Sequence, residues 1–294
     1  MRRVVKSLGL AAALLAAPAA SAQVPIPLTV TGKTVRAVVD LPGGFGVELT
    51  VTFEEVVGLH PRALEVTAIV VDPSDPLLRD RLPALPPPPL GGLLGGSSSG
   101  SGGSVTIPAA LPVLLRVAPS ASSALSFEGV ASVSLYTHNL QLEPSIPLAL
   151  YKAHDGGPFA DITVSEGRGS YRAGGSTGDF SEFLIVVDTR PIDTVIAEKF
   201  AALDALLQEH GPSIAPLVAD SLAQRFARAR GLHDAGLLVL AMAELRAFSR
   251  YVAAQSGADI PNVWRANCQG TNVAGLLRSA ADTLRFSIDR KAGR

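Results

Sequence analysis

The chain has 294 residues, 47% of them hydrophobic and 17% charged, with 25 Lys+Arg against 26 Asp+Glu and a net charge of -1. It is too apolar for a disordered chain, and so even a balance of charge gives no general attraction to phosphate backbones, which argues against nucleic acid as a partner. A single cysteine excludes a disulfide-stapled scaffold and a cysteine-built metal site. The length fits one large or two small domains.

The first 22 residues carry the three parts of a secretory signal in order. Arg2, Arg3 and Lys6 are the positive region, and Leu8 to Ala17 is an apolar stretch too short for a stable bilayer span. Pro18 breaks the helix, and Ala20-Ser21-Ala22 offers a small-x-small cleavage site. Residues 1-22 are therefore expected to be a signal peptide cleaved before Gln23. No later segment has about 20 uninterrupted apolar residues, so no transmembrane anchor is expected after cleavage, and the mature chain is expected in the periplasm or outside the cell. Cys268 then has no intramolecular partner, and is either buried or a site of intermolecular pairing.

From residue 23 to about 190 the hydrophobic period is two. Val35, Ala37 and Val39 alternate with Thr34 and Arg36, and Phe45, Val47, Leu49, Val51 and Phe53 share one face of a second run. Further strands are expected over 64-71, 105-117, 127-140, 148-153, 159-164 and 180-187. Short strands divided by Gly, Pro, Asp and Ser clusters predict an antiparallel, immunoglobulin-like β-sandwich. Residues 83-104 interrupt it with seven Gly, five Pro and five Ser in 22 positions, a composition that predicts a disordered loop joining two halves of one sandwich.

After Arg190 the period becomes 3.6. Pro191 and Asp193 open a helix with Ile196, Phe200, Leu203 and Leu207 on one stripe, ended by Gly211-Pro212. Ser213 is expected to cap a second helix, with Leu217, Leu222 and Phe226 inward and Gly231 as its stop. Asp234 is expected to cap a third, running to Gln255 with Leu238, Met242, Leu245, Phe248 and Val252 inward and Gly257 as terminator. A last helix is expected from Asn272 to Arg290, with Leu276, Leu277, Ala280, Leu284 and Ile288 apolar. The predicted fold class is α+β in two segregated parts: a β-sandwich domain over 23-190 and an antiparallel helical bundle over 191-294.

The stretch Ala243-Glu244-Leu245-Arg246-Ala247-Phe248-Ser249-Arg250-Tyr251-Val252-Ala253-Ala254-Gln255-Ser256-Gly257, followed by Ala281-Asp282-Thr283-Leu284, is similar to the signature of the FIMAH helical domain. The resemblance covers about 195-290. It implies an accessory module of secreted bacterial proteins, with no catalytic residues to carry over. The chain departs from that pattern over 262-271. As a whole it resembles secreted proteobacterial proteins with a β domain before such a bundle.

No catalytic or metal constellation stands out. Of two G-x-S-x-G matches, Gly96 to Gly100 lies in the low-complexity loop, and Gly174 to Gly178 lies between two expected strands, where a nucleophile elbow needs a helix to follow. The second match is read as a hairpin loop. His60, His138, His154, His210 and His233 are dispersed, so no metal site is expected, and no cofactor either. Asp72-Pro73-Ser74-Asp75-Pro76 lacks the order of a calcium loop and reads as a turn. Asp155, Asp161 and Glu166 are acids from which a glycosidase pair would have to come. Trp264, flanked by Asn267 and Asn272, offers an aromatic face beside amides, an arrangement that suits sugar binding; these three are the candidate binding residues, and the structural alternative, which the residue types favour, is that Trp264 plugs the end of the bundle while the amides cap helices. The expected role is non-enzymatic binding of an envelope protein or polysaccharide. The alternatives are a secreted hydrolase using Ser176 or a carboxylate pair, and a carrier with a pocket for an apolar ligand between the two parts.

Overall fold

The fold is given by a computed structural model that describes residues 26-84, 103-143, 146-154, 156-167, 169-267 and 270-293. The proposed signal peptide, most of the Pro/Gly/Ser segment, Asp155 and Cys268 lie outside the described residues.

The strands are β1 (Leu28–Thr31), β2 (Thr34–Leu41), β3 (Phe45–Val57), β4 (Leu64–Val70), β5 (Val105–Thr106), β6 (Val113–Pro119) and β7 (Ser126–Leu142). They continue as β8 (Leu148–Ala153), β9 (Ala160–Asp161), β10 (Thr163–Gly167), β11 (Gly169–Thr177), β12 (Glu182–Asp188) and β13 (Val263–Arg265). The helices are α1 (Pro76–Arg79), α2 (Ile192–His210), α3 (Pro216–Asp234), α4 (Leu238–Gln255) and α5 (Val273–Lys291).

The fold is α+β, with two antiparallel sheets and mostly C-terminal helices. One sheet runs β1-β2-β3-β7-β11-β10, with β13 also on β7; the other runs β4-β6-β12-β8-β9, with β5 on β12. Alternation decides which side of each strand is buried. Val47, Leu49, Val51 and Phe53 of β3 share a core with Val66 of β4, Leu115 and Val117 of β6, and Phe183 and Ile185 of β12, so the sheets bury one core between them. The second sheet is covered on its other face as well. Leu114, Tyr151, Leu184 and Val186 pack there with Leu78 and Leu82 from the α1 region, which is why β8 and β12 read as almost unbroken apolar runs.

Four helices share a second core, in which Phe200, Leu222, Phe248, Leu277 and Leu284 are buried. The neighbours are α3 with α4, α4 with α5, and α2 with α5, while α5 also lies against β7, β10 and β11.

Several expectations need correction. The run over 105-117 is two strands, because Pro108 and Pro112 interrupt the ladder. The run over 159-164 is also two, β9 in one sheet and β10 in the other, with Ile162 at the crossing. The expected hairpin loop at Gly174-Gly175-Ser176-Thr177 is the end of β11, paired with β7 from Gly174↔Ser134 to Thr177↔Ala131. The turn that follows carries the chain to the other sheet, so β11 and β12 form no hairpin.

Ser213 does not cap α3; it closes a 3-10 turn, its hydroxyl donating to the His210 carbonyl, and Ala215 precedes the helix. Helix α3 runs through Gly231 to Asp234, and the break comes at Gly236, whose φ of +75° suits glycine. Asp234 therefore ends α3 and caps nothing in α4. Leu217 is 82% exposed, and Val218 takes the inward place. The two parts are not fully segregated, since β13 lies between α4 and α5 in the chain yet pairs with β7.

Candidate functional site

The site lies where α2 and α5 meet the sheets. Helix α5 begins very close to β7 and β11. A Cβ on Gly275 would stand 2.3 Å from the Gly129 carbonyl oxygen, and one on Gly178 would stand 2.6 Å from the Leu276 nitrogen, so glycine is required at both. Asn272 sets the approach. Its Oδ1 accepts from the Gly275 N–H at 2.8 Å, while its Nδ2 donates to the carbonyls of Gly129 at 2.6 Å and Gly178 at 3.3 Å. The residue is a helix cap tied to β7 and to the turn after β11.

Beyond that first turn the contact is ionic. Lys199 of α2 and Asp161 of β9 meet at 2.7 Å, with side chains only 8% and 7% exposed. Lys199 Nζ also donates to Thr283 Oγ1 at 2.7 Å and Ser287 Oγ at 2.8 Å, both on α5. Burial pulls the Lys199 ammonium below the ordinary lysine range, and the charge and hydrogen bond of Asp161 oppose that. Thr283 Oγ1 has the carbonyls of Asp161 and Thr163 at 3.2 and 3.1 Å for its own proton.

A second group lies alongside. Arg190 donates through Nε to Asp188 Oδ1 and through Nη2 to Asp188 Oδ2, both at 2.9 Å, and through Nη1 to Glu198 Oε2 at 2.7 Å. Tyr151 donates to Asp188 Oδ2 at 2.6 Å. Burial works to raise the Asp188 carboxyl, but the bonds from Arg190 and Tyr151 hold it below the usual range. Glu166 differs: burial raises it, and Arg290 at 3.8 Å only partly offsets that.

Of these groups Asp161, Arg190, Glu198, Lys199 and Thr283 border a cleft of about 250 Å³ between β9, β11 and helices α2 and α5. Phe159, Ile162, Val195, Leu206, Leu276 and Ala280 supply much of its apolar wall. Lys199, Asp161, Arg190 and Thr283 supply the polar part, and Asp161 and Arg190 also border a cavity of about 110 Å³ on their far side. Ser176 and Ser279 belong to the cleft lining as well. They are 7% and 8% exposed, and their Oγ atoms have no hydrogen-bond partner.

The three candidate binding residues lie elsewhere. Trp264 is on β13, its ring centroid 5.3 Å from Phe127 and 5.0 Å from Phe180, at the margin of the inter-sheet core. Asn267 is exposed in the turn after β13, and Asn272 is the cap just described. None of the three belongs to the cleft lining.

Ser176 sits within a strand rather than on a strand-turn-helix elbow. A different serine does meet a histidine and an aspartate, just beyond Thr177 and Gly178 in the chain. His154 Nδ1 is 3.3 Å from Ser181 Oγ and 3.3 Å from Asp179 Oδ2. A catalytic imidazole is held by the acid through one nitrogen and serves the serine with the other, whereas here Ser181 and Asp179 both meet the same nitrogen, Nδ1. Asp179 is also engaged by Lys152, and Ser181 Oγ donates to the Phe180 carbonyl. This geometry does not activate a nucleophile.

Asp161, one member of the imagined carboxylate pair, is bound to Lys199. The Asp72 segment is an ordinary turn, in which Asp72 Oδ1 accepts from the Ser74 N–H and Asp75 caps α1. Among the described residues no group of three or more His, Cys, Asp or Glu is placed to hold a metal, and no helix is long and apolar enough to cross a membrane.

Sequence reasoning missed the Lys199–Asp161 pair and the cleft. The available signal was Lys199 beside Phe200 on the inward stripe of α2, where a lysine is out of place unless paired. No curated protein matches the chain. The model of DUF6689, a family of unknown function, matches residues 10–292, and the chain belongs to that family.

Proposed function

We propose that the chain is an exported, non-enzymatic binding protein that takes a small, largely apolar ligand in the cleft between its sheets and helices. The carrying observation is the cleft itself: about 250 Å³, mostly apolar, with a few convergent polar groups at one side. Ligand sites are commonly concave and apolar with a few fixed polar groups, and they favour junctions between structural units. The N-terminal pattern of Arg2, Arg3 and Lys6, an apolar run and Ala20-Ser21-Ala22 supports export to the periplasm or beyond. On this reading the two sheets are an immunoglobulin-like sandwich and the helices an accessory bundle, in keeping with the FIMAH-like signature. Envelope proteins or polysaccharides would be the surroundings in which the ligand is captured.

The test is to purify the processed protein from a periplasmic fraction, determine its first residue, and analyse an organic extract by mass spectrometry. The expected result is a chain beginning at Gln23 and a small molecule retained in stoichiometric amount. The same molecule should be absent from an Ala202→Trp variant, in which an exposed position of the lining on α2 is enlarged. An extract with the same content from both proteins would overturn the assignment to the cleft.

A further inference from the structure

Resting on that reading, we infer that the ligand is uncharged and carries one or two hydrogen-bonding groups, as an aliphatic alcohol does, rather than a carboxylate, phosphate or ammonium head. The charged residues of the lining are Lys152, Asp161, Arg190, Glu198 and Lys199. Each already has a partner. Lys152 is on Asp179, Asp161 on Lys199 at 2.7 Å, and Arg190 on both Asp188 at 2.9 Å and Glu198 at 2.7 Å. With those partners counted, three cations face four carboxylates. An anionic head would find no spare cation and would have to displace a carboxylate of the protein. A cationic head meets one carboxylate in excess, but all four are already held, Asp161 by Lys199, Asp179 by Lys152, and Asp188 and Glu198 by Arg190, so it would have to share one with a cation of the protein. Burying either ion unpaired is strongly unfavourable.

A pure hydrocarbon fits no better. Ser176 on β11 and Ser279 on α5 both belong to the lining, each more than nine-tenths buried, and neither Oγ has a partner. Buried hydroxyls are normally hydrogen-bonded, and both Oγ atoms are turned away from open space, so each needs a partner that the surrounding protein does not supply. A hydroxyl both donates and accepts, so a turn about χ1 allows either serine to meet an alcohol or a carbonyl.

The experiment is calorimetric titration of the full mature chain with three probes of equal chain length: 1-octanol, octanoate and octylammonium. Octanol is expected to bind at least about tenfold more tightly than either ion. Ala202→Trp should abolish that binding with its helical circular dichroism unchanged. Ser176→Ala combined with Ser279→Ala should weaken octanol by roughly three- to tenfold, in line with the loss of a neutral hydrogen bond. Tighter binding of octanoate or octylammonium would overturn the inference about charge and leave the cleft standing. Unchanged octanol affinity in the double serine variant would overturn the role of the hydroxyls. Binding of none of the three, or equal binding by the wild type and Ala202→Trp, would overturn the cleft itself.

Discussion

The space between the two sheets and the space between sheets and helices are filled by different chemistry. Between the sheets, aliphatic side chains surround a cluster of rings in which Phe53, Phe127 and Phe180 have centroids 5.3 to 5.7 Å apart, and Trp264 joins at the margin. Between sheets and helices the polar contacts include Lys199 with Asp161, Arg278 with Glu54, Arg290 with Glu166, and the two hydrogen bonds that Asn272 donates to Gly129 and Gly178. Apolar contact is non-directional, so the first region closes up by filling space. Ionic and amide contacts fix distance and orientation, so the second region holds the helices at a set height and leaves a cleft beneath them. The difference also assigns roles: the inter-sheet core carries stability, and the junction carries geometry.

The chain's single tryptophan lies against the inter-sheet core, so its fluorescence follows the sheets while circular dichroism follows the helices. The largest effect is expected from Phe127→Ala. Loss of this fully buried ring should cost about 3–5 kcal/mol, with both signals shifting together in denaturant. Lys199→Met should come next. It leaves Asp161 buried and unpaired at a cost of about 3 kcal/mol, and the helical signal should fall before the fluorescence. Adding Asp161→Leu should restore most of the loss, because exchanging both ions for apolar groups removes the unpaired charge. A double variant as unstable as the single one would mean that the pair itself, rather than the stranded carboxylate, holds the helices.

A smaller effect is expected from Asn272→Ala. Losing this cap should cost about 1–2 kcal/mol, again first in the helical signal. The smallest is a pH effect. The Glu166 carboxyl is raised by burial, so its contribution to stability is full below the ordinary glutamate range and is lost as pH rises through its raised value. Glu166→Gln should therefore raise the unfolding midpoint at neutral pH, with the gain fading below about pH 4. Asp188 runs the other way: its carboxyl is lowered, so its contribution is present above the ordinary aspartate range and is lost as pH falls through the lowered value. A Glu166→Gln gain that persisted in acid would contradict the burial explanation.

The same contrast explains how much could be read from the sequence. Phe45 to Phe53 alternates cleanly because one side faces the core and the other water, and the Met242, Leu245, Phe248 and Val252 stripe is equally plain. Local rules failed where a tertiary contact chose the residue. Gly174 and Gly175 look like a turn, yet they continue β11, where a Cβ would run into Ser165 and Ile162 beside them. Trp264 was legible as the odd residue between two helices, but its strand pairing with β7 depends on a segment 137 positions earlier, as Trp264 pairs with Phe127. The capping role of Asn272 was legible beside the binding one, because both ask for the same amide, but its bonds to the Gly129 and Gly178 carbonyls were not, since those groups lie 143 and 94 positions away. Only half of the Lys199–Asp161 pair was legible: a lysine on the inward stripe of α2 calls for a buried partner, but nothing local points to Asp161 in a different element, and the cleft has no sequence signature of its own.

A small apolar molecule is proposed to occupy the cleft under α2 and α5. The most direct measurement is of nuclear Overhauser contacts between 1-octanol and the methyl groups of the labelled protein. The account predicts contacts to Ile162, Val195, Leu206 and Leu276, which line the cleft, and none to the exposed Leu237, Val239 and Leu240. Contacts confined to those exposed residues, or spread over the surface without the cleft methyls, would contradict it.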